Sequence, residues 1–258
     1  MNISQAFDIH TGEVISLVGG GGKTALMFAI ARELALDGNR VITTTTTKIF
    51  APLPSQTQKI LVEGNEEELL KRLLREIDSY THITLASEKI GLEKLIGISP
   101  ELVARLAGIE KICCIIIEAD GAASRPLKAP NAAEPVIPGN TSLVVPVVGV
   151  DALGCRLTQK EVFRPEIAAG LLGVPIGEIM TAGLIARLII HPRGIAKGSP
   201  EGARIVPFIN KVDLDEGLAG GRILAEMILA MGHPQIEYVV LGQAQAPDPV
   251  VEVMRGKP

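Results

Sequence analysis

The chain has 258 residues, of which 47% are hydrophobic, 21% charged and 3% aromatic, a composition that excludes an intrinsically disordered protein. The formal net charge of −4 excludes a generally basic surface, so nucleic acid is not an expected partner. The first residues do not resemble a signal peptide, and no uncharged apolar stretch reaches about 18 residues. We therefore expect a cytoplasmic protein with no membrane partner.

Apolar runs bounded by turn residues predict strands, and segments with helical periodicity predict helices between them. The predicted strands are Val14–Val18, Val41–Thr45, Lys59–Val62, His82–Ala86, Lys111–Ile117, Ser142–Val148, Arg204–Ile209 and Ile236–Leu241. The predicted helices are Thr24–Asp37, Glu66–Ile77, Pro100–Ala107, Pro165–Leu172, Ile176–Ile190 and Asp215–Met231. Strands that alternate with helices predict an α/β fold, with a doubly wound, mainly parallel sheet flanked by helices.

The whole chain, residues 1–258, is interpreted as a single domain with a long loop at 121–141 and a helical insertion at about 164–203. The first loop is rich in proline and directly follows a predicted strand end, where ligands bind in parallel sheets, so we expect it to be functional. A second segment rich in proline and glycine, His191–Glu201, is predicted to be a flexible insertion.

A glycine loop follows the first predicted strand and leads directly into a helix. Its residues are Gly19, Gly20, Gly21, Gly22, Lys23 and Thr24. Backbone amides of such a loop can surround phosphate oxygens, Lys23 would reach the β- and γ-phosphates, and the Thr24 hydroxyl would bind Mg²⁺. The full phosphate-loop pattern requires glycine where this chain has Leu17, so the loop is a variant. The alternative is a glycine-rich turn with a chance Lys-Thr pair.

Two carboxylates, Glu118 and Asp120, end the predicted strand Lys111–Ile117. Beside a phosphate loop, a strand-end carboxylate orients Mg²⁺ directly or through water. The two residues share a face of an extended segment, so both are candidate metal ligands and the sequence does not distinguish them. Asp120 is also the best candidate to orient a water molecule, which makes Lys23 and Asp120 the candidate catalytic residues. The alternative is ordinary solvation of a strand end.

The tetrapeptide Asn210-Lys211-Val212-Asp213 follows the predicted strand Arg204–Ile209 and resembles the N-K-x-D guanine-specificity motif of GTPases. In that motif, the aspartate accepts hydrogen bonds from guanine, the lysine stem lies against the base, and the asparagine ties the segment to the phosphate loop. Adenine lacks these donors, so Asp213 would disfavour ATP. A weaker signal is Gly242–Ala246, which could offer a backbone N–H to a base carbonyl. The alternative is a solvated turn before a helix.

Other polar candidates remain open between a functional and a structural role. Thr43–Thr47 is either a switch segment near the γ-phosphate or simply a strand rich in β-branched residues. Arg125 and Lys128 either hold an anion or are exposed residues on a mobile loop. The histidines and cysteines show no metal-ligand spacing.

The carboxylate motif has glutamate rather than aspartate, and in this it resembles the motif of the phosphate-loop GTPases that serve nickel and cobalamin assembly. A broader resemblance to the YqeC family rests on motifs that extend over nearly the whole chain. They are LVGGGGKT at 17–24, VITTTTTK at 41–48, IIIEADGA at 115–122, PLKAP at 126–130, EPVIP at 134–138 and VPFINKVD at 206–213. This resemblance implies a P-loop NTPase-like fold and a role in equipping molybdenum hydroxylases with a labile selenium cofactor.

Together these features predict a Mg²⁺-dependent protein that binds a nucleoside triphosphate, GTP rather than ATP, and hydrolyses it during selenium-cofactor maturation. A selenium-dependent molybdenum hydroxylase, or another maturation protein, is the expected partner. Two alternatives remain: an ATP-dependent kinase or transferase that activates a small acid or cofactor bound by the 121–141 loop, and a scaffold that binds nucleotide without turnover.

Overall fold

The computed structural model describes residues 1–91 and 93–256. The helices are α1 Ile3–Ala6, α2 Lys23–Leu36, α3 Glu66–Glu76, α4 Pro100–Ala107, α5 Pro165–Leu172, α6 Ala182–Ile190 and α7 Gly217–Ala230. The strands are β1 Glu13–Gly19, β2 Val41–Thr45, β3 Lys48–Phe50, β4 Lys59–Val62, β5 His82–Ala86, β6 Glu88–Ile90, β7 Lys94–Ile96, β8 Cys114–Glu118, β9 Leu127–Lys128, β10 Leu143–Gly149, β11 Val162–Phe163, β12 Arg204–Ile205, β13 Phe208–Asn210, β14 Tyr238–Gly242 and β15 Val250–Arg255.

The main sheet has the strand order β15-β14-β13-β10-β1-β8-β2-β5-β4, and β12 also pairs with β10. Its strand pairs are parallel, except that β15 joins β14 antiparallel. Helices cover the sheet, so the protein is a three-layer α/β sandwich and the predicted fold class is confirmed. No helix in the described part of the chain is long and apolar enough to cross a bilayer.

The core lies on both faces of the sheet because successive side chains of a strand point to opposite sides. Val14 and Val18 of β1 belong to one buried apolar cluster, and Ile15 and Leu17 belong to the other. Leu17 is fully buried, so the residue that departs from the phosphate-loop pattern is a core residue of a strand.

The central parallel strands bring their carboxyl ends to one edge of the sheet. In register, Gly19 lies opposite Val147, Leu17 opposite Glu118, and Gly149 opposite Asn210. The glycine loop, the Glu118 strand end and the Asn210 strand end therefore meet at this edge, as parallel pairing requires.

Two small sheets lie outside the main one. The antiparallel strands β3, β7 and β6 form a three-stranded sheet, and β9 pairs in parallel with β11. The pair β9–β11 lies within and beyond the segment 121–141, which was predicted to have no strand. Leu127 and Lys128 are fully buried there, and Val136 N–H donates to Ala119 O at 2.9 Å.

Most predicted elements are present with shifted ends, but three predictions are wrong. The predicted helix Ile176–Ile190 begins only at Ala182, because Thr181 accepts a hydrogen bond from Leu184 N–H and caps the helix there. The predicted strand Arg204–Ile209 is broken into β12 and β13, since Pro207 has no N–H to donate. The third wrong prediction is that residues 121–141 contain no strand, because β9 lies within them. The sequence analysis also missed β15, the antiparallel edge strand.

Candidate functional site

The glycine loop lies close against the segments that follow β8 and β10. A Cβ atom on Gly20 would lie 2.7 Å from the carbonyl oxygen of Arg125, and one on Gly21 would overlap the backbone of Gly149. Side chains at these two positions would push the loop away from its neighbours. Glycine is therefore required for the approach of the loop to these segments.

The backbone amides of the loop divide into two groups. The N–H groups of Gly19, Gly20 and Gly21 donate to Asp120 Oδ2 at 3.2 Å, Val147 O at 2.9 Å and Arg125 O at 2.8 Å. Within the residues that the structure describes, the N–H groups of Gly22 to Ala25 have no protein acceptor. These are the unpaired donors at the start of α2, where the helix dipole is positive and an anion is favoured.

Lys23 is folded back onto the end of β8. Its Nζ donates to Gly19 O at 2.6 Å and lies 3.2 Å from Asp120 Oδ1 and 3.7 Å from Glu118 Oε1. The Lys23 side chain is only 3% exposed. Burial lowers the pKa of Lys23, but the Asp120 and Glu118 carboxylates outweigh it and raise the pKa above its usual value. The ammonium is therefore charged and neutralises the two acids.

Glu118 and Asp120 have different partners. Glu118 Oε2 accepts a hydrogen bond from Thr24 Oγ1 at 2.5 Å, which places a hydroxyl and a carboxylate side by side. Burial raises the pKa of Glu118, and the nearby Lys23 ammonium only partly opposes this effect. Asp120 Oδ2 accepts a hydrogen bond from the Gly19 amide, whereas the buried Asp120 Oδ1 has the Lys23 ammonium as its partner, at 3.2 Å.

Lys128 is a structural residue here, neither exposed nor a free anion-binding group. It is fully buried, and its Nζ contacts Asp120 Oδ2 at 3.0 Å, Glu134 Oε2 at 2.6 Å and Gly121 O at 2.6 Å. Arg164 pairs with the same Glu134 carboxylate. Burial raises the pKa of Glu134, but hydrogen bonds from Arg164 and Lys128 outweigh it and lower the pKa below its usual value.

Asn210 connects the glycine loop to the segment after β14. Its side-chain amide donates to Gly21 O at 2.7 Å, and its Oδ1 accepts from Ala244 N–H at 2.8 Å. The tie between the N-K-x-D segment and the loop is therefore present, as the motif predicts. The amides of Gln243 and Ala246 donate to Pro249 O and Gln243 O, so Gln245 is the remaining candidate amide for a base carbonyl.

A first cavity of about 410 Å³ is bounded by the segments after β13 and β14. Lys211 and Asp213 line it together with Gln245, and the Asp213 side chain is exposed. Lys211 Nζ pairs with Asp151 Oδ2 at 2.6 Å, which holds the lysine stem along the cavity. The volume lies in the range of small-molecule sites.

A second cavity of about 520 Å³ adjoins the first, and the two share Gly22, Ala25, Lys211 and Gln245. Lys23, Thr24 and Glu118 line this second cavity. The two cavities therefore form one cleft along the carboxyl edge of the sheet, from Asp213 past the start of α2.

The hydroxyls of Thr43–Thr47 are bound within the protein. Thr43 bonds to His82 and Thr84, Thr44 to Leu85 O, and Thr45 to Glu118 O at 2.6 Å. Thr46 donates to Val136 O at 2.7 Å and so fastens the 121–141 loop. These contacts favour the structural role of the threonine run over the switch.

The donor set near the loop suits a hard cation that also has phosphate or water ligands. No group of three or more His, Cys, Asp or Glu side chains able to hold a metal occurs in residues 1–91 and 93–256. Mg²⁺ is ordinarily bound by one or two carboxylates and completed by phosphates and waters. Thr24 Oγ1, Glu118 and Asp120 provide oxygen atoms of this kind, and the two carboxylates are neutralised by Lys23 in this structure.

Sequence reasoning missed several residues of the cleft. Asp151, the partner of Lys211, follows the end of β10 and could have been suspected as a strand-end carboxylate. Lys48, Lys94, Phe163 and Arg164 also line the second cavity. Lys48 ends the VITTTTTK motif, whereas the other three lie in or beside short strands without a recognised motif.

The fold and this cleft define an α/β protein with a glycine loop, buried carboxylates and strand-end segments at one edge of a parallel sheet. A sequence model of the family described as "YqeC protein" matches residues 15–166. A relative from Escherichia coli (strain K12), described as "Uncharacterized protein YqeC", is 33% identical over 233 residues, which cover 90% of this chain and 88% of the relative. The chain belongs to the YqeC family. The matched range includes the glycine loop, Glu118 and Asp120, whereas Asn210–Asp213 lies beyond it.

Proposed function

We propose that this protein binds Mg²⁺ and a nucleoside triphosphate, with GTP preferred over ATP, and hydrolyses the triphosphate. The observation that carries the proposal is the continuity of the cleft. Unpaired amides at Gly22 to Ala25 and the residues Lys23 and Thr24 lie in one part, and Asp213 lies in the adjoining part.

The start of α2 suits a polyphosphate because its free N–H groups and the helix dipole both favour negative charge. Lys23 already neutralises two buried carboxylates, so binding a triphosphate requires its ammonium to turn from Asp120 and Glu118 toward the phosphate oxygens. The carboxylates then need another cation. Triphosphate and metal binding are therefore expected to depend on each other.

Thr24, Glu118 and Asp120 are the residues that would hold Mg²⁺. The Thr24–Glu118 contact supports this set, and Asp120 Oδ1 would become available once the Lys23 ammonium, now at 3.2 Å, turns away. When bound, the ion neutralises charge on the β- and γ-phosphates. Asp120 is our candidate to orient a water molecule, since its Oδ1 is held by Lys23 at 3.2 Å and would be released when that ammonium turns to the phosphates. Water addition to the γ-phosphorus would release a nucleoside diphosphate and inorganic phosphate.

The preference for guanine is supported by Asn210, which bridges Gly21 O and Ala244 N–H, and by Asp213 at the cavity wall. A carboxylate at this position accepts from the N1–H and 2-amino groups of guanine. Adenine would leave the carboxylate without these donors, which costs binding free energy.

The place of this activity in the cell rests on the resemblance described above. We propose that hydrolysis drives a conformational or handover step in selenium-cofactor maturation for a molybdenum hydroxylase. The partner would be that hydroxylase or another maturation protein.

One observation favours a second candidate, a transferase that uses ATP or GTP. Lys48, Lys94 and Arg125 line the cleft beyond Lys23 and give it room and charge for a second, acidic substrate. Transfer of the γ-phosphoryl group to an oxygen of that acid would release a nucleoside diphosphate. Phosphate release only in the presence of a second substrate distinguishes this function from simple hydrolysis.

Calorimetric titration with GTP, ATP and their hydrolysis-resistant analogues, each with and without Mg²⁺, tests the proposal. The wild type should bind the GTP analogue more tightly than the ATP analogue, and only weakly without Mg²⁺. Asp213→Ala should remove the preference for guanine while phosphate affinity remains. Asp248→Ala, which removes an acid from the loop after β14, is the matched control. An unchanged base preference in Asp213→Ala would contradict the guanine assignment.

A further inference from the structure

The cleft continues beyond Lys23 into a region that the proposed nucleotide site does not use. Lys48, Lys94, Arg125, Phe163 and Arg164 line it, and we name these five residues the basic subsite. The sheet order places this region away from the nucleobase cavity. Asp213 and Gln245 follow β13 and β14 on one side of β1, whereas Lys48, Lys94 and Arg125 follow β2, β5 and β8 on the other. Phe163 and Arg164 reach the same region because β11 pairs with β9, which follows β8 in the chain.

A nucleotide that extends from Asp213 to the glycine loop therefore ends near β1, between these two regions. Its base and ribose would occupy the first cavity, and its phosphates would reach the start of α2. The basic subsite would then lie past the terminal phosphate. This position is where a second molecule would meet the nucleotide.

Three of the four cations of the basic subsite form no ion pair with a carboxylate in the described part of the chain. Arg125 donates to the main-chain carbonyls of Gln159 and Ala123, which carry no formal charge, and Lys94 Nζ lies 5.5 Å from the centre of the Phe50 ring. In the described part of the chain, Lys48, Lys94 and Arg125 form no ion pair with a carboxylate. Arg164 shares Glu134 with the buried Lys128.

The two guanidinium groups are held in place by an aromatic ring. Arg164 Cζ lies 4.6 Å and Arg125 Cζ 5.7 Å from the centre of the Phe163 ring. Such contacts restrict arginine side chains, so less entropy is lost when they bind an anion. The backbone around them is also unusual, because Ala123, Ser124 and Arg164 have φ values of 47°, 59° and 62°. Non-glycine residues with such values are concentrated at functional sites.

We propose that the basic subsite binds a second small molecule through a phosphate or carboxylate group, beside the terminal phosphate of the nucleotide. The position of the second molecule relative to the nucleotide rests on the proposed function, whereas the anion site itself rests on the cations and the cavity. Arginine forks bind either anion through paired N–H groups, so both chemical sources suit the site.

The competing explanation is that these cations hold the γ-phosphate of the nucleotide itself. Titration of inorganic phosphate, and separately of malonate, into the wild-type protein saturated with Mg²⁺ and a hydrolysis-resistant GTP analogue distinguishes the two. The variants are Arg125→Ala and the double variant Lys48→Ala/Lys94→Ala. Lys89→Ala on the exposed strand β6 and Arg193→Ala on an exposed turn are matched controls outside the cleft.

The wild type and both controls should bind one of the two anions in the presence of the nucleotide analogue. Each cleft variant should lose affinity for that anion by about tenfold or more, since a charge-assisted hydrogen bond is removed, and keep its affinity for the nucleotide. The double lysine variant keeps the test valid if Arg125→Ala does not fold, because both lysines are exposed. A larger response to phosphate or to malonate identifies the chemical source.

Two results would overturn the inference: no binding of either anion to the wild type, or an equal loss of nucleotide and anion affinity in the cleft variants. If no nucleotide binds, the proposed function fails, and the anions are titrated into the protein alone. In that case, the basic subsite is supported if Arg125→Ala weakens anion binding and Lys23→Ala does not. The reverse pattern places the anion at the start of α2 and refutes the basic subsite.

Discussion

Replacing Asp120 by asparagine tests whether the buried charge cluster stabilises the fold. Asp120 is 1% exposed and contacts two ammonium groups, Lys23 at 3.2 Å and Lys128 at 3.0 Å, whose side chains are 3% and 0% exposed. Asparagine has nearly the same shape and keeps an oxygen for the Gly19 N–H. The substitution therefore removes the negative charge and leaves the packing and this hydrogen bond in place.

The expected loss of stability depends on which partners Lys23 and Lys128 keep when the Asp120 charge is removed. Removing one partner of a buried ion pair costs about 3–5 kcal/mol, because it leaves a desolvated charge without compensation. Lys23 keeps Glu118 and Gly19 O, and Lys128 keeps Glu134 and Gly121 O, so the cluster is only partly uncompensated. We expect the free energy of unfolding to fall by about 3 kcal/mol, the lower end of that range.

Urea unfolding followed by circular dichroism measures the change as a lower midpoint at constant slope. Asp151→Asn is the matched control, because Asp151 also pairs with a lysine but both side chains are about one third exposed. An exposed pair contributes less than about 1 kcal/mol, so this control should unfold near the wild-type midpoint. If Asp120→Asn loses no more stability than Asp151→Asn, the argument from buried charge is refuted.

Three further predictions follow from the same structure. Lys23→Ala should abolish triphosphate binding in calorimetry. Lys89 is exposed and lies outside the cleft, so Lys89→Ala should still bind the triphosphate. Triphosphate binding by Lys23→Ala would contradict the proposed phosphate site. Asn210→Ala should weaken GTP and ATP binding alike, by about tenfold, because it breaks the tie between Gly21 O and Ala244 N–H; equal affinities in variant and wild type would contradict this. Burial lowers the pKa of His82 to about 4 in the folded protein. The unfolded chain therefore binds a proton first, and stability should fall as pH decreases from about 6.5 to about 4, by an amount on the order of 3 kcal/mol. His82→Gln should flatten the dependence of the urea midpoint on pH in that window, and a slope equal to that of the wild type would refute the assignment.

The central strands and most helices could be predicted because their signals are local. The runs at Val41–Thr45 and His82–Ala86 are strands with the predicted bounds, since strands buried on both faces have runs of residues without charged side chains. The helix predicted at Ile176–Ile190 failed in its first residues, although the Thr181 cap was visible in the sequence. The edge strand β15 was missed, and its apolar run is interrupted by Glu252 and ends at Arg255.

In the candidate site, too, some features could be predicted from the sequence and others could not. The glycine loop, Glu118, Asp120 and Asn210–Asp213 were identified because each is a short motif at the end of an apolar run. Their convergence also followed, because parallel strands bring their carboxyl ends to one edge. The roles of the individual carboxylates did not follow, since they depend on which side chains approach them from elsewhere in the chain.

The sequence by itself determined the class of fold and the edge of the sheet where its chemistry-bearing residues gather, because apolar periodicity and glycine placement are local properties. Only the tertiary structure decided that Lys128 is buried against Asp120 and Glu134, and that Glu118 rather than Asp120 bonds to Thr24. It also decided that Lys48, Lys94 and Arg125 line one cavity. These outcomes depend on contacts between segments that are distant in the sequence. A local sequence pattern does not contain the burial or the charge balance that such contacts produce.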